Sequence, residues 1–177
     1  MKRLFLLRHA QTLPHHGGHD SERVLSPKGY EDLAKLAPLI AALYGAPDLV
    51  LCSPVSRTIQ TFAGALPNYA GKAEKPKILY SGSAGDYFSL IQNAPDDAGS
   101  LLLIAHNPAI YELAARLSPK GKNSALARLG EGYAPATLSV IDAPFERWAD
   151  IDPDLCSLTE LHSPIDYNAP ERPTRWM

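Results

Sequence analysis

Three short polar clusters hold the side chains of this chain that could do chemistry, and each begins where an apolar run stops. Leu4–Leu7 ends in Arg8-His9. Leu49–Cys52 runs into Ser53 and, within the first turn of a following helix, Arg57. Leu101–Ile104 passes through Ala105 to His106-Asn107. Two guanidinium groups and two imidazoles gathered in one crevice suit phosphoryl transfer. The transferring group spreads negative charge over its equatorial oxygens, so catalysis is mainly positioning and electrostatic stabilisation. Arginine serves this better than lysine, because its planar fork donates two hydrogen bonds to neighbouring phosphate oxygens and stays charged at any relevant pH. Arg57 also sits near a helix N-terminus, whose free N–H groups favour an anion. A neutral imidazole between arginines, its pKa depressed by their charge, can attack phosphorus in line and hold the phosphoryl group until water removes it. The arginines supply the positive charge, so no metal and no other cofactor is expected.

Taken singly, each cluster has an ordinary explanation. Arg8-His9 could be a solvated turn, His106 a buried histidine satisfied by hydrogen bonds, and Arg57 a helix-surface residue. Parallel strands, however, would bring all three to the same edge of a sheet, and in open α/β sheets ligands bind beyond the carboxyl ends of the strands.

The elements needed for that placement can be read from the pattern. Leu4–Leu7, Leu49–Cys52 and Leu101–Ile104 are continuous apolar runs of the kind that form strands buried on both faces. Ser26-Pro27 offers an N-cap and a first-turn proline. Leu33, Leu36, Ile40 and Leu43 then mark one face of a helix that Pro38 should kink and Gly45 should close. Ser53-Pro54 repeats the cap-plus-proline start for a helix through Arg57 toward Leu66. Pro67–Pro76 reads as a linker, Lys77–Tyr80 as a weak strand and Asp86–Ile91 as a short helix. Asn107-Pro108 opens another helix, with Ile110, Leu113, Ala114 and Leu117 on one side. Thr137–Ile141 reads as a strand, with Phe145–Ile151 returning beside it as an antiparallel edge. The expected fold is a three-layer α/β/α sandwich with a mostly parallel central sheet and an antiparallel edge strand.

Composition bounds the function classes. The 177 residues suit a single domain, and 45% hydrophobic with 20% charged residues is a soluble globular profile. A net charge of −2 gives no overall reason to bind nucleic acid or an anionic membrane, so any anion site must concentrate charge locally. No run approaches the roughly 20 apolar residues of a membrane span. The apolar stretch near Met1 ends at Arg8, too short for a secretory signal. Cys52 and Cys156 lack metal-site or redox spacing and are expected as reduced thiols in a cytoplasmic protein. The loop His15-His16-Gly17-Gly18-His19-Asp20 matches no zinc spacing and reads as a rim over the pocket. Arg116, Lys120, Lys122 and Arg128 form a basic stretch, read as solvated surface rather than a dock for an acidic partner. From Asp142 onward eight acids (Asp142, Glu146, Asp150, Asp152, Asp154, Glu160, Asp166, Glu171) face three bases (Arg147, Arg172, Arg175). This acidic end becomes a proline-rich tail from about residue 152 and reads as a solvated wrap over the surface.

Leu7-Arg8-His9-Ala10-Gln11-Thr12 resembles the RHG-type signature of the histidine phosphatase superfamily, which includes phosphoglycerate mutases and acid phosphatases. Ser53 to Thr61 resembles its second motif, and Ala105-His106-Asn107-Pro108 its GHNP segment, with Ala105 in place of glycine. The resemblance spans Met1 to about Leu117. It implies His9 as nucleophile and Arg8, Arg57 and His106 as the phosphate pocket. The short chain is most similar to SixA-type phosphohistidine phosphatases, which implies a phosphorylated histidine on a signalling protein as substrate. Many relatives carry a glutamate near the third strand that protonates the leaving oxygen. Leu79 to Asp86 has none; Asp86 is the nearest candidate acid, Tyr80 a weaker one, and Asp86 reads equally as a helix N-cap. Imidazole leaves as a neutral group once its ring is protonated, so a missing acid favours a phosphoramidate substrate. Alternatives are a small-molecule phosphomonoesterase of the same superfamily, acting on a small phosphorylated molecule, and a non-catalytic phosphate-binding or interaction domain.

Overall fold

A strand turns successive side chains to opposite faces, so an apolar run such as Leu4–Leu7 needs cover on both sides. The computed structural model, which describes residues 1–168, supplies it. The chain begins with β1 (Lys2–Arg8), a single 3₁₀ turn at Asp20–Glu22 and α1 (Pro27–Leu43). There follow β2 (Leu49–Cys52), α2 (Ser56–Ala65), β3 (Lys72–Glu74), α3 (Ile78–Ser81) and α4 (Ala84–Gln92). Next come β4 (Ser100–Ala105), α5 (Ala109–Arg116), β5 (Lys120–Gly121), α6 (Asn123–Gly130) and β6 (Leu138–Ala143). Two 3₁₀ turns, Trp148–Asp150 and Pro153–Leu155, lead to β7 (Ser157–His162) and α7 (Pro164–Tyr167).

The sheet has seven strands in the order β3-β2-β4-β1-β6-β7-β5. Phe5, Leu7, Val50, Cys52, Leu102 and Ile104 face one layer, where they meet Leu33, Leu36 and Ile40 of α1 and Ala65 of α2. Leu4, Leu6, Leu49, Leu51, Leu101 and Leu103 face the other, against Tyr87 and Ile91 of α4, Ile110 and Leu113 of α5, and Leu129 of α6. This is the expected three-layer arrangement.

The antiparallel strand is not at the edge. β6 pairs antiparallel with both β1 and β7, so it lies inside the sheet, while β5 and β7 run parallel to each other. Phe145–Ile151 is not its partner. Trp148 and Ile151 are buried at a spacing of one 3₁₀ turn, and the Trp148 indole Nε1 donates to the Ala98 carbonyl at 2.8 Å. The neighbour is β7, drawn from the stretch read as a solvated tail. Glu171, Arg172 and Arg175 lie outside the described residues. Lys77–Tyr80 is likewise not a strand: Leu79 is buried from a turn of helix, and the edge strand is β3, wholly exposed and within the presumed linker. An edge strand with charged residues needs no apolar pattern.

Ser26 caps α1 as expected, its hydroxyl accepting from Gly29 N at 3.1 Å. The helix runs through Pro38 to Leu43 because Leu33, Leu36 and Ile40 are buried on both sides of the lost hydrogen bond; Leu43 itself is exposed. Gly45, at φ +73°, closes it. A Cβ on Gly29 would stand 2.3 Å from the Gln11 carbonyl oxygen, so glycine there lets the loop after His9 lie against α1. Ser53-Pro54 does not start α2; Val55 is the N-cap, and Ser53 is employed elsewhere.

Candidate active site

β4 pairs in parallel with both β1 and β2, and the backbone pairing continues past the strand ends. His9 N donates to the Ala105 carbonyl at 3.1 Å and Ser53 N to the Ile104 carbonyl at 3.0 Å. Residues 9, 53 and 106 therefore leave the sheet at one level. The imidazoles of His9 and His106 stand 5.3 Å apart, centroid to centroid, tilted by 54°.

Each polar group is held from one side. The His9 Nδ1–H donates to the Ala10 carbonyl at 2.8 Å, which assigns the tautomer and leaves the Nε2 lone pair uncommitted. His106 Nε2 lies 2.8 Å from the Ser53 hydroxyl, which can donate to it and leave the proton on Nδ1. Arg8 Nη1 donates to the Tyr133 carbonyl at 2.7 Å. Arg57, almost fully buried, donates from Nη1 to the Asp20 backbone carbonyl at 2.8 Å and from Nη2 to the Asp20 carboxylate at 2.9 Å. Asp20 also accepts from the Tyr80 hydroxyl at 3.0 Å and pairs with Arg23 at 3.4 Å. Tyr80 in turn stands edge-on to His106, ring centroids 5.9 Å apart.

What is left over defines the chemistry. Arg8 Nε, Arg23 Nε, Arg57 Nε and His106 Nδ1 are buried without a partner among the described residues, as are the Asn107 Oδ1 acceptor and the Thr137 hydroxyl. A buried polar group without a partner costs about 1–3 kcal/mol, more if charged, so such atoms accumulate only where a ligand can satisfy them. The three guanidinium nitrogens can only donate, and His106 Nδ1 joins them as a donor in the tautomer in which Ser53 donates to Nε2. An acceptor-only oxyanion is their natural complement.

The electrostatics agree. Burial lowers the His9 pKa to about 4; the Ala10 hydrogen bond opposes this, and the charges of Arg57, Arg8 and Arg23 reinforce it. Burial, then Arg57 and His9, lowers His106 to about 3. Both imidazoles are thus neutral near pH 7, with desolvation, rather than the expected cations, as the leading cause. Burial pushes the Asp20 carboxyl up, but hydrogen bonds from Arg57 and Tyr80 and the Arg57 charge more than offset it and bring it to about 2.

Asp86 has a different employment. Its carboxylate accepts from Ser83 N at 2.7 Å and Ser83 Oγ at 2.9 Å, a capping box for α4. The backbone hydrogen bond to Ser83, then its side-chain one, lowers the Asp86 pKa, holding it as the carboxylate, the wrong form for a proton donor. Ser53, Asp20 and Arg23 belong to the cluster; from the sequence Ser53 is named only at a strand end and as a helix cap, Asp20 only as part of a rim loop, and Arg23 not at all. Ser53 had a usable signal, being the first residue past a buried strand. Asp20 and Arg23 had only their spacing of three.

The surrounding surface is more ordinary. A cleft of about 970 Å³ beside α1 and α2 is lined mainly by Ala, Gly and Pro and contains none of the groups above. His15, His16 and His19 are exposed and line a separate cleft of about 290 Å³ with Glu22 and Arg23. Among the described residues no three His, Cys, Asp or Glu side chains gather as metal ligands. In the basic stretch, Arg116 packs its guanidinium 4.2 Å over Phe88, Lys122 pairs with Glu160, and Arg128 pairs with Asp166. Cys52 and Cys156 are free and buried, burial raising their thiols to about 12 and 11. No helix among the described residues is long and apolar enough to cross a membrane.

Comparison with known proteins places this geometry. The family model "Histidine phosphatase superfamily (branch 1)" matches residues 4–79, which include Arg8, His9 and Arg57. An uncharacterized protein of Mycobacterium tuberculosis is 29% identical over 160 residues, covering 89% of this chain and 99% of its own. A protein from Agrobacterium tumefaciens, assigned as the phosphohistidine phosphatase SixA, superposes with a TM-score of 0.76 at 26% identity, covering 92% of this chain and 99% of its own. Its counterpart from Nakamurella multipartitia, with the same assignment, gives a TM-score of 0.79 at 25% identity, covering 93% and 96%. By motif, family match over residues 4–79 and fold, the chain is similar to the histidine phosphatase superfamily, with SixA-type proteins among its structural neighbours.

Proposed function

We propose that this protein is a phosphohistidine phosphatase of SixA type that works through a covalent phosphohistidine on His9. The comparisons support phosphatase activity in general terms. The finer reading rests on one observation: neutral His9, its Nδ1 tied to the Ala10 carbonyl, belongs to a cluster in which the Nε–H groups of Arg8, Arg23 and Arg57 are buried donors with no partner among the described residues. The substrate oxyanion is received by Arg8, Arg57 and His106. His9 Nε2 attacks phosphorus in line, the P–N bond to the substrate imidazole breaks, and that imidazole leaves neutral with the proton already on its other nitrogen. Water then attacks the phospho-His9, giving inorganic phosphate and regenerating the imidazole. The arginines stabilise the charge of both transition states, and we propose that no metal is needed.

The carboxyl groups support a phosphoramidate substrate. Asp86 is a helix cap, and Asp20 is held ionised against Arg57. Neither can protonate a leaving alkoxide, which an alkyl ester requires and protonated phosphohistidine does not. The test is turnover of a phosphohistidine-bearing protein against simple alkyl phosphates at equal concentration. The account predicts strong preference for phosphohistidine; preference for the alkyl esters would replace it with a small-molecule phosphomonoesterase.

A further inference from the structure

Asp20 and Arg23 stand at opposite ends of one 3₁₀ turn, closed by Arg23 N donating to the Asp20 carbonyl at 3.2 Å. In that geometry side chains three apart eclipse, so the carboxylate and the guanidinium share a face. The Asp20 carboxylate lies between two guanidinium groups, 2.9 Å from Arg57 Nη2 and 3.4 Å from Arg23 Nη1. Arg23 Nη2 donates to the Thr12 hydroxyl at 2.7 Å, and Thr12 is bridged to Leu25 across the base of the same loop. Arg23, like Arg57, is held through its two terminal nitrogens, though more loosely, while its Nε–H stays buried and unpartnered among the described residues.

We propose that Arg23 is a third guanidinium ligand of the reacting oxyanion, and that Asp20 is the positioning residue that holds Arg23 and Arg57 together. The inference rests on the phosphatase reading above, because it concerns the same oxyanion. Like charges brought this close repel, and a carboxylate between them offsets that repulsion while occupying only their outer nitrogens. The inner Nε–H edges remain for substrate. Glu22 and Tyr80 are other polar groups nearby: Tyr80 donates to Asp20, and Glu22 lines a cleft together with Arg23. Arg23 is also among the charges that lower the His9 pKa. The loop read from sequence as a rim would then be part of the binding site itself.

The experiment measures orthovanadate affinity by calorimetry for the wild type and for R23Q, R23K and D20N, with the melting temperature of each variant. R23Q should bind about tenfold more weakly or worse, the loss expected from one charge-assisted hydrogen bond, and R23K should recover part of it. D20N should also bind more weakly, although it makes the site more positive. R23Q matching the wild type overturns the role of Arg23, and equal or tighter binding by D20N overturns that of Asp20; both results leave the phosphatase reading standing. Losses that follow only from melting, with R23K no better than R23Q, would reduce Arg23 to a structural residue and overturn the proposal. A wild type that binds no orthovanadate overturns the proposal and the phosphatase reading together.

Discussion

The nucleophilic role proposed for His9 rests on what its neighbours take away. The Ala10 carbonyl fixes the proton on Nδ1, and burial removes the water that would stabilise a second proton. A consequence follows for pH. The unfolded chain binds protons at His9 and His106 below their ordinary value of about 6.5, whereas the folded chain resists until about 4 and about 3. Stability rises with pH wherever the unfolded state binds more protons. Stability should therefore be full above pH 6.5 and fall progressively between there and pH 3, with H9A and H106A each flattening part of that slope in melting experiments. Activity should differ: kcat/KM, which reports the free enzyme, should show no loss of the nucleophile on acidification through pH 6.5. Arg8, His9 and His106 could be picked out as candidates because buried strands run into them, and Arg57 because it falls in the first turn of the helix after one. Ser53, Asp20 and Arg23 could not, since their roles depend on hydrogen bonds across 53, 37 and 11 positions of chain.

At the scale of elements, the sequence signals that succeeded were those with a local physical cause. Ser26-Pro27 starts α1 because a hydroxyl at that point satisfies an orphan N–H. Ser53-Pro54 carries the same signature and fails, because the Ser53 hydroxyl is claimed by His106. Asp86 was ambiguous between acid and cap, and its two bonds to Ser83 settle the geometry as a cap. The expected outcome for Asp86→Ala is accordingly a melting temperature lower by a few degrees with turnover of phosphohistidine unchanged. A collapse of turnover in a folded Asp86→Ala protein would return the residue to the chemistry.

For the molecule as a whole, the parallel half of the sheet could be read because strands buried on both faces are apolar throughout, as Leu101–Ile104 shows. The remainder hid for the opposite reason. β3 is an exposed edge, and β7 mixes buried Leu158 and Leu161 with polar residues across a register shift against β6. That shift breaks strict alternation, so the stretch looked like tail. β6 and β7 matter here chiefly because β6 pairs with β1, and the Thr137 and Ala136 backbones just before β6 bond to Arg8 and His9, steadying the strand end that carries the proposed nucleophile. The central claim, that three distant strand ends and their loops combine to put a phosphoryl group on one imidazole, is tested most directly by covalent labelling. Wild type and His9→Ala are incubated with a radiolabelled phosphohistidine donor, quenched rapidly in alkali and assayed for acid-labile phosphate. The account predicts label on His9 of the wild type and none on the variant; equal label on the variant, or none on a wild type that turns the donor over, would contradict it.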